Sequence, residues 1–242
     1  MPAPDARLER DLAGFVKDVE RALGDGLVGI TVYGSAAAGE WVRGASDVNT
    51  MVVVRAVTGT VLDALAGPVA SWRRRGFALP LVADEEFLER ARDAFPMEID
   101  DARRAHRTLR GPDFLANVTV DRRDLRRACE HEARAKLLRL RAHYLAAAAA
   151  PRDLDRLRAQ SIKSFLVILR HVLHLRGDEA PFGYDEVLAA GERVIGPLPA
   201  FRRALEMRRS AGRRTSGEAR QEFSRYLADA ERVVAAVDAV HA

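Results

Sequence analysis

Residues 32–54, VYGSAAAGEWVRGASDVNTMVVV, decide how this chain is read. An apolar run ends at Tyr33, a Gly34-Ser35 turn follows, and Asp47 and Asn49 lead into a second apolar run. Glycine lets a backbone come close to a phosphate, and a serine hydroxyl with its neighbouring amides can donate to phosphate oxygens. The turn runs into 36–39, read as the start of a short helix whose N-terminus favours an anion. Eleven residues separate Ser35 from Asp47. Asp47 and Asn49 stand at i, i+2 at the start of the next strand, so both side chains leave one face. Two oxygen ligands opposite a phosphate-cradling turn suit Mg2+ held against a nucleoside triphosphate.

Working outward, the first half alternates helical and strand patterns. Ala6–Leu23 carries Leu8, Leu12, Phe15, Val16, Val19 and Leu23 at helical spacing. Leu27–Tyr33, LVGITVY, and 48–54 are short, β-branched and apolar, as buried strands are. The spacing then predicts a helix over 61–75, a strand over 79–82, a helix over 84–94 and a strand over 95–99. From residue 122 the patterns become long and helical, over 122–148, 154–176, 184–194, 201–209 and 217–240. Pro151, Gly177, Pro181, Gly196 and Pro199 punctuate them. The expected organisation is an α+β chain: a mixed sheet with helices over 1–121, then an α-helical bundle over 122–242.

Composition narrows the function classes. With 242 residues, 48% hydrophobic and 31% charged, the chain can bury a core in one large domain or two modest ones. No apolar run nears the roughly 20 residues that span a bilayer, and the N-terminus lacks a signal-peptide pattern. One cysteine, Cys129, excludes an intramolecular disulfide framework and fits a cytoplasmic, reducing setting. The pI near 9.6 accompanies a net charge of only +4. Basic and acidic residues alternate along most helices, so nucleic acid is not the expected partner.

The 32–54 stretch resembles the nucleotidyltransferase superfamily, whose signature is a Gly-Ser turn, about ten residues, then Asp-x-Asp or Asp-x-Glu on a strand. It looks most like the bacterial aminoglycoside adenylyltransferase-like branch, which adds a C-terminal helical domain. FPMEIDDARRAHRTLRG, HEARAKLLRLRAHYL and SFLVILRHVLHLRGDEAP also resemble segments of uncharacterised members. The resemblance implies Mg2+ and ATP or another nucleoside triphosphate, bound at Gly34, Ser35 and Asp47. It implies transfer of a nucleoside monophosphate to a hydroxyl of a small-molecule acceptor. It also implies a third carboxylate on a neighbouring strand, as metal ligand or base. Glu98 on the expected strand 95–99 is the best match, with Asp100 and Asp101 as rivals that could instead cap the following helix.

Asn49 departs from the family pattern. Its carbonyl can coordinate Mg2+ but brings no charge, which weakens the ion's first shell. The alternative reading is therefore a catalytically silent module that senses a nucleotide or presents its helical half to a protein partner, as in toxin–antitoxin pairs. Among other residues, Lys163 is the candidate phosphate ligand, because only Lys17, Lys136 and Lys163 are lysines. A surface role is its alternative. His171 and His174, at i, i+3, read as structural, and Arg126–His131 as a chance match to a ribonuclease pattern. Cys129 reads as a buried thiol, Tyr33 as core, and Trp41 as packing on the sheet or stacking on a base.

Overall fold

A computed structural model describes residues 5–44, 46–148, 150–209 and 218–240. The chain divides into two compact units, 1–121 and 122–242.

The first unit is built on a four-stranded sheet of order β3-β2-β1-β4. β1 (Leu27–Tyr33) runs antiparallel to β2 (Asn49–Val54) and to β4 (His106–Arg110), while β3 (Leu81–Ala83) joins β2 in parallel. Side chains alternate between faces. Ile30, Val32, Val52 and Val54 therefore meet α1 (Ala6–Leu23) and α3 (Gly59–Arg73) on one side. There Phe15 stacks on Phe77 at 5.1 Å and meets the edge of Trp72 at 6.3 Å. The Trp72 indole N–H donates to Asp18 at 2.9 Å, pinning α3 to α1. On the other side Met51 and Val53 pack with Ala102, Leu115 and the partly buried Tyr33 and Phe114.

The expected strand at 95–99 is a helix instead. α5 covers Pro96–Arg104 and follows the short α4 (Glu85–Arg90). The alternation Phe95, Met97, Ile99 imitates a strand, but Pro96 sits at the helix start, where its missing N–H costs nothing. Glu98 in the first turn and Arg103–Arg104 in the last suit the helix dipole. The strand that sequence reading lacks is β4, whose polar HRTLR segment fits an edge position.

The second unit consists, among the described residues, of α6 (Arg122–Ala147), α7 (Pro151–Arg176), α8 (Tyr184–Ile195), α9 (Pro199–Arg209) and α10 (Ala219–Asp238). Gly217, the expected first residue of the last helix, lies outside the described residues. The later turns of α7 are buried all round, so α7 is the bundle's axis. It ends in a Schellman turn, with Gly177 donating to His174 and Asp178 to Leu173. Asp229 on α10 accepts from the amides of Ala200 (2.9 Å) and Phe201 (3.1 Å), so one helix caps the N-terminus of another. Arg232 holds the same carboxylate at 2.6 Å. No described helix is long and apolar enough to cross a membrane.

Four substitutions at three positions test these supports. Gly111 has φ +76, and a Cβ there would lie 2.1 Å from the Val28 carbonyl oxygen. Gly111→Ala should cost roughly 3 kcal/mol or more. Gly24→Ala, also at positive φ but in open space, should cost about 1. Asp229→Ala should cost roughly 3 kcal/mol by stranding two buried amides and an arginine, and Asp229→Asn distinctly less. Urea titration followed by circular dichroism reads all four.

Candidate functional site

The site grows from strand register. Tyr33, the last residue of β1, pairs with Asn49, the first of β2. Antiparallel pairing thus returns the chain to the sheet end that it left through Gly34-Ser35. Directly paired residues share a face, so Tyr33 and Asn49 stand side by side, and His106 on β4 flanks Tyr33 on the other side.

Gly34 adopts φ 74, ψ −148, a backbone that other residues resist. Its N–H donates to the Ala105 carbonyl at 2.8 Å, so the glycine shapes the turn and its own amide is already committed. α2 (Ser35–Ala38) is a single turn, with Ala37 and Ala38 both donating to the Gly34 carbonyl. The amides of Ser35 and Ala36, as the first two helical residues, have no acceptor within the helix. Ser35 is 8% exposed, and among the described residues its hydroxyl makes no hydrogen bond.

The loop after α2 delivers Asp47. The Trp41 indole donates to the Ser46 carbonyl at 3.1 Å, Val42 donates to the Ser46 hydroxyl, and Ser46 donates back to the Val42 carbonyl. Trp41 packs against the sheet core, the first of its two expected roles. Val48 then bridges in parallel to Phe77, which fixes the chain direction just past Asp47. Asp47 is exposed and Asn49 half-buried.

The candidate third carboxylates lie on α5, not on a strand. Glu98 is exposed, Asp101 half-buried and Asp100 buried. Asp100 accepts from Arg103 at 3.1 Å, a pairing within its own helix. Asp101 and Glu98 are one turn apart, and both act on Tyr33. Burial, then the charges of Asp101 and Glu98, push its phenol up to about 12. Glu98 therefore neighbours the end of β1. Among the described residues neither Asp47 nor Glu98 belongs to a group of three or more carboxylate, histidine or thiol ligands close enough to share one ion.

In the helical unit, the Lys163 ammonium lies over the Tyr184 ring, 5.4 Å from its centre, a cation–π contact between α7 and α8. Lys136 pairs with Glu132 at 3.5 Å. Arg126 donates to the Val240 carbonyl and to Glu130, while His131 is exposed. His171 is buried and His174 half-buried on α7. Burial pushes the Cys129 thiol up to about 12, which leaves it unreactive.

Sequence reading assigned Tyr33 to the core and did not single out His106. The place of Tyr33 opposite Asn49 comes from the antiparallel register of β1 and β2, which the expected strands 27–33 and 48–54 did not specify. His106 carried no signal of its own. Its ring bonds the Arg103 carbonyl at 3.0 Å and Asp113 at 3.1 Å, tying the start of β4 to the following loop.

No family model and no curated protein matches this sequence. Among solved structures, the chain is similar to spectinomycin adenyltransferase AAD(9) from Enterococcus faecialis, whose crystal structure holds ATP and spectinomycin. The two share 15% identity with a TM-score of 0.58, over 92% of this chain and 99% of that one. The fold is nucleotidyltransferase-like: an α+β unit with a mixed sheet, followed by a helical region.

The raised Tyr33 phenol makes stability depend on alkaline pH. The folded state holds the proton up to about 12, the unfolded chain only to about 10, so the stability is intact below pH 10 and is lost as pH rises towards 12. Tyr33→Phe should abolish roughly 2 kcal/mol of that alkaline loss, read by urea titrations at pH 8 and pH 11.5.

Proposed function

We propose that this chain binds a Mg2+–nucleoside triphosphate, ATP or a relative, at the sheet end formed by Gly34, Ser35, Asp47 and Asn49, and transfers a nucleoside monophosphate to a hydroxyl of a small molecule. The observation that carries this reading is the Tyr33–Asn49 register, which joins the Gly-Ser turn to the strand that Asp47 and Asn49 open. The Ser35 hydroxyl and the Ser35 and Ala36 amides serve the phosphates. Donor chemistry fits the ion: Asp47 and Asn49 supply hard oxygens, and Mg2+ commonly binds through one or two carboxylates together with substrate phosphates and water. When bound, the ion supplies charge neutralisation at the phosphates. Glu98 is the candidate base for the acceptor hydroxyl. Lys163 is a weaker candidate for phosphate contact, since its ammonium already rests on Tyr184.

A second reading, nucleotide binding without transfer, is favoured by one observation: position 49 carries an amide in place of a carboxylate.

Calorimetric titration of ATP with and without Mg2+ tests the shared part of both readings. Binding should require Mg2+, Asp47→Ala should weaken it at least tenfold, and Asn49→Asp should tighten it about tenfold or more. Binding by none of the three proteins overturns the proposal. If the wild type also transfers a nucleotide to an acceptor, Glu98→Gln should slow transfer by about a hundredfold while leaving ATP affinity intact. Transfer absent even from Asn49→Asp selects the second reading.

A further inference from the structure

The sheet face that carries Asn49 changes character two residues further on. Met51 pairs with Leu81, and Val53 with Ala83. Above these residues lies a cavity of about 310 Å³, walled by α4, α5 and the loop after β4. Its lining is hydrophobic apart from Glu98. Phe87 and Phe95 stand at its margin, 51% and 47% exposed, with ring centres 6.1 Å apart. The loop that forms its far wall, with Phe114 and Leu115, is held by Asp113. That carboxylate accepts from the Leu115 and Ala116 amides and bonds the His106 ring.

We infer that this cavity is a binding site for a small amphipathic amine, with one or two rings in the cavity and its ammonium at Glu98. Three features define the ligand. The volume is about twice that of an engineered apolar cavity known to hold benzene, which sets the body at one or two rings. The lining offers no polar partner inside, so a sugar-like body would forfeit its hydrogen bonds with water without replacement. The polar group is a carboxylate that pairs with no arginine or lysine among the described residues. Behind burial, which acts most strongly, the charges of Asp101 and Glu98 both push the Tyr33 phenol up, so carboxylate charge is felt at this end of the sheet. A cation completes that arrangement and an anion opposes it.

The site lies on the same sheet face as Asn49, yet its ligand binds whether or not the nucleotide site functions. The test therefore omits nucleotide. The full chain is titrated with 2-(1-naphthyl)ethylamine, the matching alcohol 2-(1-naphthyl)ethanol and the anion 1-naphthylacetate, by calorimetry. The amine should bind three- to tenfold more tightly than the alcohol, and the anion weakest. Glu98→Gln should bring amine and alcohol level without weakening the alcohol. Leu81→Trp, placed at a partly exposed lip, should weaken all three ligands while circular dichroism shows the fold intact. The anion binding as tightly as the amine, an unchanged amine preference in Glu98→Gln, or unchanged affinities in a folded Leu81→Trp would each overturn the site. ATP titration reads the nucleotide proposal separately, so either can fail alone.

Discussion

The antiparallel register between β1 and β2 is the constraint on which the site depends. With Tyr33 opposite Asn49, one sheet end carries both the Gly34-Ser35 turn and the strand opening at Asp47 and Asn49. A slip of one residue would exchange the faces of β2, sending Asn49 towards α1 and α3 and placing Val52 and Val54 on the site face. Burial forbids this slip. Both faces of β2 are packed, Val52 and Val54 against the α1–α3 side and Met51 and Val53 against Ala102 and Leu115, so a slip would exchange two fitted sets of side chains and bury the Asn49 amide. Across β1, the glycine at 111 fits against the Val28 carbonyl where no Cβ could, which limits β4 in the same way. The chemistry-bearing residues are thus placed by hydrophobic packing on the opposite face of the sheet.

That placement also explains the distribution of charge. β3 meets β2 through Leu81, Val82 and Ala83, so this adjacent strand contributes no carboxylate beside Asn49 or Met51. Acid arrives instead from α5, a helix laid over the same face, and acts on Tyr33 rather than being held in the sheet. A carboxylate on a strand is fixed by two backbone ladders, whereas Glu98 is an exposed side chain in a first helical turn. Its position responds more readily to what binds next to it.

The elements legible in the sequence were those whose physics is local. Ala6–Leu23 and Leu27–Tyr33 coincide with α1 and β1, because an amphipathic stripe and a β-branched run each name their partner surface. The long helices of the second unit follow for the same reason, bounded by Pro151 and Gly177. Residues 95–99 misled because three apolar residues at period two outweighed Pro96, whose helix-starting signal was the correct one. β4 was illegible because its pairing energy lies in a partner about 75 residues earlier, and HRTLR offers no apolar face of its own. The Gly34, Ser35, Asp47 and Asn49 constellation was legible as a spacing. That the Gly34 amide is spent on Ala105, and that Glu98 stands on a helix, were not, since both depend on chain segments distant in sequence.

Asn49 and the apolar cavity belong to one argument. In a low-dielectric groove a carboxylate must be paired or hydrated. Asn49 stands on the same strand face as Met51, Val53 and the hydrophobic cavity beyond them. An aspartate there would add a charge beside that apolar surface, where the asparagine adds none. The amide keeps an oxygen at this position without the charge. The asparagine is thus the electrostatic counterpart of the hydrophobic floor: a sheet face made apolar for most of its length tolerates few fixed charges at its rim. Exposed Asp47, one residue before the strand pairing begins, carries its charge outside that apolar face, where water reaches it.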